Sequence, residues 1–294
     1  MTPLAATLLC LGLSLLYVGS IHAWPTHEHT QHRDHPSTIQ RRLASVTLTS
    51  AASGLVVLQL LQPPGAPAAA PWAALAPRLG LRAPGLWQAA LYPLLLTMAL
   101  FLGPMLLKCR DYRANRRGAG SAAEALAHTF QLGSHAPAVR RWVVVRSLAV
   151  APLTEEWVYR ACMAAPLAAA GVSVWAITFL SPLAFGVAHA HHLWLARGSE
   201  PREWRTARQQ AAFQACYTTV FGWYVAWLFV RTGHLVAPVL THVFCNAMQF
   251  PPFGRLLADG ATKAALGLGV ALFVGGLPYA TSCDLFSGSP YCAE

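Results

Sequence analysis

The stretch Trp142–Ala170, WVVVRSLAVAPLTEEWVYRACMAAPLAAA, decides the fold class of this chain. Most of it is as apolar as a membrane-spanning helix, yet it carries the adjacent carboxylates Glu155 and Glu156 and, at helical spacing, Arg160. A charged side chain at the centre of a transmembrane helix costs roughly 2.5–3.5 kcal/mol on insertion scales. Such charges are expected to be paired or used, so the stretch predicts a functional site inside a membrane helix.

The composition of the whole chain points to a membrane protein. Of its 294 residues, 55% are hydrophobic and only 11% are charged, which is too apolar for an ordinary soluble domain. Its apolar runs have the length of helices that cross about 30 Å of hydrocarbon. A helix also satisfies its own backbone hydrogen bonds in lipid. We therefore predict one all-α domain, residues 1–294: a polytopic membrane helix bundle with about eight transmembrane helices and an intramembrane active site. The predicted spans are Leu4–Ile21, Leu43–Gln62, Leu86–Leu107, Trp142–Ala170, Val172–Trp194, Ala211–Arg231, Leu235–Phe250 and Ala264–Ala280.

Basic residues predict how the bundle sits in the membrane. The loops after the first, third, fifth and seventh spans are rich in arginine and lysine, whereas the opposite loops hold only Arg78, Arg82 and Arg231. Cytosolic loops carry the excess of basic residues, so the first set is predicted to be cytosolic and both termini to lie on the other side. This asymmetry accounts for the net charge of +10, and no nucleic-acid partner is needed to explain it.

Three features outside the polar motifs also yield expectations. The first span lacks the basic flank and the Ala-x-Ala site of a cleaved signal peptide, so we predict a retained helix. The Pro/Ala/Gly-rich stretch Pro63–Gly85 predicts an extended loop. Cys283 and Cys292 fall in the predicted non-cytosolic tail, where an oxidising lumen would permit a disulfide, although two free thiols also fit the sequence.

The first polar motif gives its two carboxylates different surroundings. On a helix Glu156 and Arg160 are four residues apart, close enough for an ion pair that lowers the cost of burying both. Glu155 lies about 100° round the helix and has no partner at that spacing. Burial in a low-dielectric pocket strengthens a carboxylate as a base, which suits general-base catalysis by Glu155. The alternative is a purely structural ion-pair cluster that joins helices.

A second motif places histidines at the end of the fifth predicted span. Phe185 and His189 are four residues apart on one helix face, and His191 and His192 follow. A single histidine in such a place is more often a hydrogen-bonded core or interface group than a catalyst. Three histidines in four positions favour a functional role. We predict that His189 acts in the site, with Phe185 and His192 in support.

The third motif, on the seventh predicted span, puts His242 and Asn246 on one helix face. Both side chains can donate hydrogen bonds to a developing oxyanion, as acyl transfer requires, or they can link helices instead. Together the motifs fit hydrolysis of an amide by an activated water. A zinc ion held by Glu155, His189 and His242 remains a second interpretation. A serine or cysteine nucleophile is less well supported, because no Gly-x-Ser-x-Gly elbow is present.

In this order and on separate membrane helices, Glu-Glu-x-x-x-Arg, Phe-x-x-x-His and His-x-x-x-Asn resemble the type II CaaX prenyl endopeptidases, the Ras-converting enzymes. That family belongs to the CaaX protease and bacteriocin-processing superfamily. The residues that flank the motifs resemble the eukaryotic branch. They are Arg33-Asp-His-Pro36, Ile39-Gln-Arg41-Arg42, Pro152-Leu-Thr-Glu-Glu, Arg160-Ala-Cys-Met163, His189-x-His191-His192 and Thr241-His-x-Phe-Cys-Asn246.

This resemblance implies a reaction and a role for each motif. Enzymes of the family remove the last three residues from a protein whose CaaX cysteine carries a farnesyl or geranylgeranyl group. By motif position, Glu155 and His189 would activate the water, and His242 and Asn246 would form the oxyanion hole. The Glu156–Arg160 pair would shape the site. The family is usually described as glutamate proteases, so no cofactor is expected and zinc is the alternative.

The resemblance also implies partners and a location. The partners are prenylated CaaX proteins such as Ras-type small GTPases, together with membrane lipid. The expected location is the endoplasmic reticulum membrane, with an active site open to the cytosol. Arg146, shortly before the glutamates, is a candidate for the substrate's terminal carboxylate or a residue that snorkels to the interface. Other classes to test are a non-catalytic scaffold of the same superfamily and a proton-coupled transporter.

Overall fold

The structure, a computed structural model, describes residues 1–24, 34–62, 70–132, 136–188 and 201–292. Within these ranges all regular structure is helical, which confirms the predicted all-α class. The α-helices are α1 (Pro3–Ile21), α2 (Pro36–Leu61), α3 (Ala70–Leu75), α4 (Leu86–Leu100), α5 (Leu102–Gly118), α6 (Ala122–Thr129), α7 (Pro137–Val145), α8 (Ala151–Glu156), α9 (Met163–Ala169), α10 (Val174–Ala188), α11 (Pro201–Thr232), α12 (Val236–Met248), α13 (Phe253–Ala258) and α14 (Gly260–Ala280). Two π-helical stretches, π1 (Arg146–Val150) and π2 (Trp157–Cys162), lie on either side of α8.

Several helices are suited to cross a membrane. By length and composition, three helices in the described ranges qualify: α1, α2 and α14. The bent pair α4 and α5 is a fourth if it is counted as one span. Apolar segments of α10 (Val174–Ala184) and α12 are shorter. In the described residues every predicted span contains helix, which supports a multi-pass bundle, while the count of about eight spans stays a prediction.

The third predicted span, Leu86–Leu107, is wrong as a continuous helix. The chain bends by 75° between α4 and α5. Pro104 has no N–H to donate to the Leu100 carbonyl, so an α-helix cannot run through this point with its hydrogen bonds intact. Gly103 also allows α5 to approach α14 closely, because a Cβ there would lie 2.9 Å from the Thr262 carbonyl oxygen.

The stretch Pro63–Gly85 is not simply the extended loop that its composition predicts. It contains helix α3, and Leu75 and Leu79 are buried in the core. Alanine is the best helix former, so an Ala-rich segment becomes helical once leucines at helical spacing have a core to pack against. Gly80 adopts a positive φ of 75° and its carbonyl accepts from the Leu235 amide at 3.0 Å, which joins this segment to the start of α12.

The C-terminal tail covers the end of α11. Cys283 and Cys292 form a disulfide, the first of the two alternatives that the sequence allows. The Ser289 hydroxyl donates to the Val230 carbonyl at 2.9 Å, which holds the tail against the helix end. The bundle is therefore closed at the end where the disulfide lies.

The segment from π1 to π2, residues 146–162, carries both glutamates and is called the polar helix. Helices α1 and α2 hold it in place. The hydroxyls of Tyr17 and Thr154 lie 2.8 Å apart, and the Trp157 indole donates to the Ser50 carbonyl at 2.9 Å. A Cβ at Gly54 would lie 2.8 Å from the Trp157 ring, so α2 approaches π2 as closely as a glycine permits. These contacts fix the helix segment that carries the two glutamates.

Candidate active site

The two glutamates lie on α8, a short α-helical segment between the π-helical stretches π1 and π2. π-Helical turns are rare and occur frequently at functional sites. They interrupt the ordinary hydrogen-bond ladder, so backbone carbonyls near them can accept from side chains on other helices. The irregular backbone thus coincides with the stretch from which the sequence predicts a functional site.

The predicted ion pair between Glu156 and Arg160 is present. The Arg160 Nε atom lies 3.0 Å from Glu156 Oε2. The Glu156 side chain is 0% exposed and that of Arg160 is 2% exposed, so neither charge has water to stabilise it. Each charge thus compensates for the burial of the other, since removing one partner would leave the second buried without compensation.

His242 lies between the two carboxylates. Its Nδ1 atom is 2.7 Å from Glu156 Oε1, a hydrogen bond in which the imidazole N–H donates. Its Nε2 atom is 3.9 Å from Glu155 Oε2. Because Glu156 fixes the ring from one side, the other ring nitrogen is aimed at Glu155.

Glu155 differs from its neighbour in exposure. Its side chain is 23% exposed, whereas that of Glu156 is fully buried. The 3.9 Å separation from His242 Nε2 is too long for a direct hydrogen bond and suits a bridging water or substrate atom. The accessible carboxylate, rather than the ion-paired one, is therefore placed to meet a reactant.

Asn246 follows His242 by one helical turn and links α12 to π1. Its Nδ2 atom donates to the Ser147 carbonyl oxygen at 2.9 Å. An amide nitrogen carries two hydrogens, so this bond uses one of them and fixes the direction of the other. The shared helix face that the sequence predicts for His242 and Asn246 thus borders the polar helix.

Phe221 on α11 contacts the site and is not found by sequence motifs. Its ring centroid lies 5.0 Å from that of His242, in an edge-to-face arrangement. The signal in the sequence is an aromatic residue at every fourth position of this helix, Phe213, Tyr217 and Phe221. Such a pattern alone does not tell which helix the aromatic face meets.

Several predicted residues cannot be placed. Helix α10 includes Phe185, whose side chain is not described, and His189 and His192 fall in residues 189–200, outside the described ranges. Their roles stay predictions.

Arg146, a candidate for the substrate carboxylate, forms an ion pair with Asp34 at 2.7 Å, so an acidic partner already occupies that guanidinium.

Zinc binding at this site stays a prediction. In the described part of the chain no three histidine, cysteine or acidic side chains converge as metal ligands. The predicted set, however, includes His189, which the structure does not describe. Glu155 and His242 face each other and fit two of its three positions. Glu156 is already engaged by Arg160 and His242.

The fold and the site define a multi-pass membrane protein with an acid–histidine cluster inside its helix bundle. Residues 137–248, from α7 to the end of α12, match the family described as Type II CAAX prenyl endopeptidase Rce1-like. A human protein named CAAX prenyl protease 2 is 39% identical over 286 residues, which is 96% of this chain and 83% of the relative. This chain therefore belongs to the type II CAAX prenyl endopeptidase family.

Two further relatives carry the same name. The protein from Rattus norvegicus is 35% identical over 96% of this chain and 82% of its own length. The protein from Arabidopsis thaliana is 35% identical over 67% of this chain and 63% of its own. No solved structure matches the chain. The matched segment 137–248 contains both glutamates, His242 and Asn246.

Proposed function

We propose that this protein is an intramembrane endopeptidase that removes the last three residues from farnesylated or geranylgeranylated CaaX proteins. Its relatives are named as proteases of this kind. The observation that carries the proposal is the position of His242, bonded to buried Glu156 through Nδ1 and facing accessible Glu155 through Nε2. Only one of two adjacent carboxylates is then free to act on a reactant.

In the proposed reaction Glu155, assisted by His189, takes a proton from a water. The resulting hydroxide attacks the carbonyl carbon of the prenylated cysteine. The negative oxygen that forms is stabilised by hydrogen bonds from the Asn246 amide and from His242 Nε2, which donates in the imidazolium form because Nδ1–H is already bonded to Glu156. The bond to the first of the last three residues then breaks, and its nitrogen receives the proton that Glu155 took. The products are the prenyl-cysteine carboxylate and a free tripeptide.

Glu156 and Arg160 act as positioning residues in this scheme. Glu156 holds His242 Nδ1 at 2.7 Å and so directs Nε2 toward the reacting group. Arg160 pairs with Glu156 at 3.0 Å and fixes the position of the carboxylate that accepts from His242. Because Glu156 is held by both Arg160 and His242, the imidazole needs little reorganisation when charge develops near Nε2. Low reorganisation is the main benefit of a preorganised site.

The proposed orientation brings the substrate peptide from the cytosol. The last turn of α5 carries Arg116 and Arg117. The positive-inside rule assigns this basic helix end to the cytosol. The disulfide between Cys283 and Cys292 favours an oxidising compartment for the opposite end. Both features support an endoplasmic reticulum location. They also fit prenylated partners of the Ras type whose lipid enters the cytosolic leaflet.

A single assay tests the reaction. Purified protein in detergent is incubated with a farnesylated CaaX peptide, and the product masses are measured beside a non-prenylated peptide, the Glu155→Ala variant and a chelated sample. We expect loss of three residues from the farnesylated peptide with wild type alone, unaffected by chelation.

The other outcomes distinguish the alternatives. Activity that chelation removes and zinc restores would replace the glutamate mechanism with the zinc-dependent one. No cleavage of several prenylated CaaX peptides by a folded sample would contradict the proposed function and leave a non-catalytic membrane scaffold. Cleavage that persists in Glu155→Ala would contradict the role given to that carboxylate.

A further inference from the structure

Four aromatic side chains form an exposed patch at the junction of α11, α12 and α13. This interface patch consists of Phe213, Tyr217, Phe250 and Phe253, whose neighbouring ring centroids are 4.9–5.7 Å apart. The four residues are between 39% and 53% exposed. They contact one another instead of being buried in the bundle, so the patch presents a continuous aromatic surface to the surroundings.

The interface patch is continuous with the candidate active site. Phe213, Tyr217 and Phe221 follow one another at four-residue spacing, which places them on one face of α11. The stripe runs about 12 Å along the helix at about 1.5 Å per residue. Its inner end is Phe221, whose ring centroid lies 5.0 Å from that of His242.

We propose that this aromatic stripe, from the interface patch to Phe221, binds the isoprenoid chain of the substrate. The inference rests on the proposed function. The bond that is cleaved follows the prenylated cysteine directly, so the thioether lies within one residue of the reacting carbonyl. A lipid site must therefore begin at the catalytic groups and lead outward, and the stripe does this from His242.

The chemistry of an isoprenoid suits this surface. The chain is branched and unsaturated, and its methyl groups and double bonds can lie against ring faces and edges. Aromatic rings are also favourable at the boundary between lipid and water, where the lipid of a cytosolic substrate enters. The rings of the interface patch are exposed sideways, so the rest of the chain, including the extra isoprene unit that geranylgeranyl has over farnesyl, can contact lipid beside the patch.

Another apolar surface offers a competing place for a lipid chain. A groove of about 600 Å³ between α1 and α10 is lined mainly by apolar residues, among them Leu11, Leu15 and Leu180. It borders the stretch that follows the glutamates: Leu167 lines it, the Cys10 thiol contacts the Met163 carbonyl at 3.7 Å, and the Ser14 hydroxyl lies 3.3 Å from that of Tyr159. The aromatic stripe contacts His242 directly through Phe221, whereas the residues that line the groove include neither glutamate nor His242.

Kinetics of an outer-patch variant test the proposal. In the double variant Phe213→Ala/Phe253→Ala both positions are exposed, so the bundle is expected to fold. We expect KM for a farnesylated peptide to rise by roughly tenfold with kcat unchanged, because lost apolar contact weakens binding of substrate and transition state equally. The matched control is Trp175→Ala/Phe179→Ala, a second pair of exposed stacked aromatics, which is expected to leave KM unchanged.

A crosslinking experiment separates binding from cleavage. The Glu155→Gln variant is incubated with a peptide whose farnesyl group carries a photoreactive diazirine, and the labelled residues are identified by mass spectrometry. We expect labels on α11 between Phe213 and Phe221 and on Phe250, with less labelling there in the double variant.

The possible failures are distinguishable. Labels on Leu11, Leu15 or Leu180, or on the control aromatics, would overturn the proposal even if wild type cleaves the peptide. An unchanged KM in the double variant would also overturn it and leave the interface patch as an ordinary aromatic belt. Labels on the stripe without any cleavage by wild type would support the lipid site and contradict the proposed function.

Discussion

Glu155 and Glu156 are adjacent in the sequence, but the fold gives them different surroundings. Glu156 is fully buried between Arg160 and His242, while the Glu155 side chain retains 23% exposure. The first carboxylate is thus a structural and positioning group. The second is the one that water and substrate can reach.

Replacing each glutamate by glutamine separates these roles. Glu156→Gln leaves Arg160 as a buried charge without its carboxylate, which is expected to cost roughly 3–5 kcal/mol of stability along with activity. Glu155→Gln keeps the Glu156–Arg160 pair and loses only the 3.9 Å approach of the carboxylate to His242, so it is expected to change stability by less than about 1 kcal/mol while abolishing cleavage. Unfolding by titration with denaturing detergent measures the difference. Equal stability losses for the two variants would contradict the assignment.

Asn246 is expected to act on the rate rather than on binding. Asn246→Asp keeps the size of the side chain but replaces its N–H donors by oxygens, one of them facing the Ser147 carbonyl. We expect kcat to fall by about 10²–10³-fold with a small change in KM, the effect of losing one oxyanion donor. Steady-state kinetics with a farnesylated peptide provide the measurement. A rise in KM at unchanged kcat would show that the amide binds substrate instead.

At the scale of elements, glycines determine how closely neighbouring helices pack. Helix α14 rests against α4 and α5, the two arms of the bent pair. A Cβ on Gly269 would clash with the Ala99 carbonyl oxygen, which is backbone and cannot rotate away. Nothing lies within 4 Å of a Cβ on Gly267, two residues earlier on the same helix.

These two glycines therefore predict opposite responses to alanine. Gly269→Ala must push α14 away from α4 and is expected to destabilise the protein by about 1–3 kcal/mol. Gly267→Ala is expected to leave stability unchanged or to raise it slightly, because alanine is the better helix former. Thermal unfolding in detergent compares the two variants. A neutral Gly269→Ala would contradict the close contact between α14 and α4.

Hydropathy predicts elements only as far as lipid contact determines them. The predicted span Ala211–Arg231 lies within α11, but the helix begins ten positions earlier, at Pro201. That extension is rich in charged and polar residues, which a hydropathy pattern assigns to a loop. The bend before Pro104 has a local signal, the proline itself, which a hydropathy pattern does not contain. The burial of Leu79 depends instead on contacts distant in the sequence, such as the bond from the Leu235 amide to the Gly80 carbonyl.

At the scale of the whole molecule, the two ends of the bundle are predicted to lie in different compartments. Cys109, exposed on α5, belongs to the predicted cytosolic side. Cys283 and Cys292 form their disulfide at the opposite end. In sealed microsomes a membrane-impermeant maleimide is expected to label Cys109 directly. The tail cysteines are expected to react only after permeabilisation and reduction.

Variants that retain one cysteine site at a time make this labelling unambiguous. The control for Cys109 is Cys109→Ser, which should lose the direct label. Labelling of Cys283 or Cys292 in sealed vesicles, after reduction alone with an impermeant reductant, would contradict the predicted topology. It would also remove the support that the disulfide gives to a luminal tail.

The site was partly readable from the sequence. Helical spacing alone predicts the Glu156–Arg160 pair and the shared face of His242 and Asn246, because both are local to one helix. The bonds from His242 to Glu156 and from Asn246 to Ser147 join helices far apart in the chain, and no local pattern contains them. The roles of the histidines in residues 189–200 rest on the family resemblance.

The most direct test of the central claim is single-turnover cleavage of a farnesylated CaaX peptide by Glu155→Gln. The matched control is Cys245→Ala, which alters α12 between His242 and Asn246 but leaves both carboxylates in place. We predict that Glu155→Gln loses at least about 10²–10⁴-fold in rate, the contribution of a general base, while Cys245→Ala cleaves at a rate close to that of wild type. A folded Glu155→Gln protein that cleaves at the wild-type rate, or a Cys245→Ala protein that does not cleave, would contradict the account.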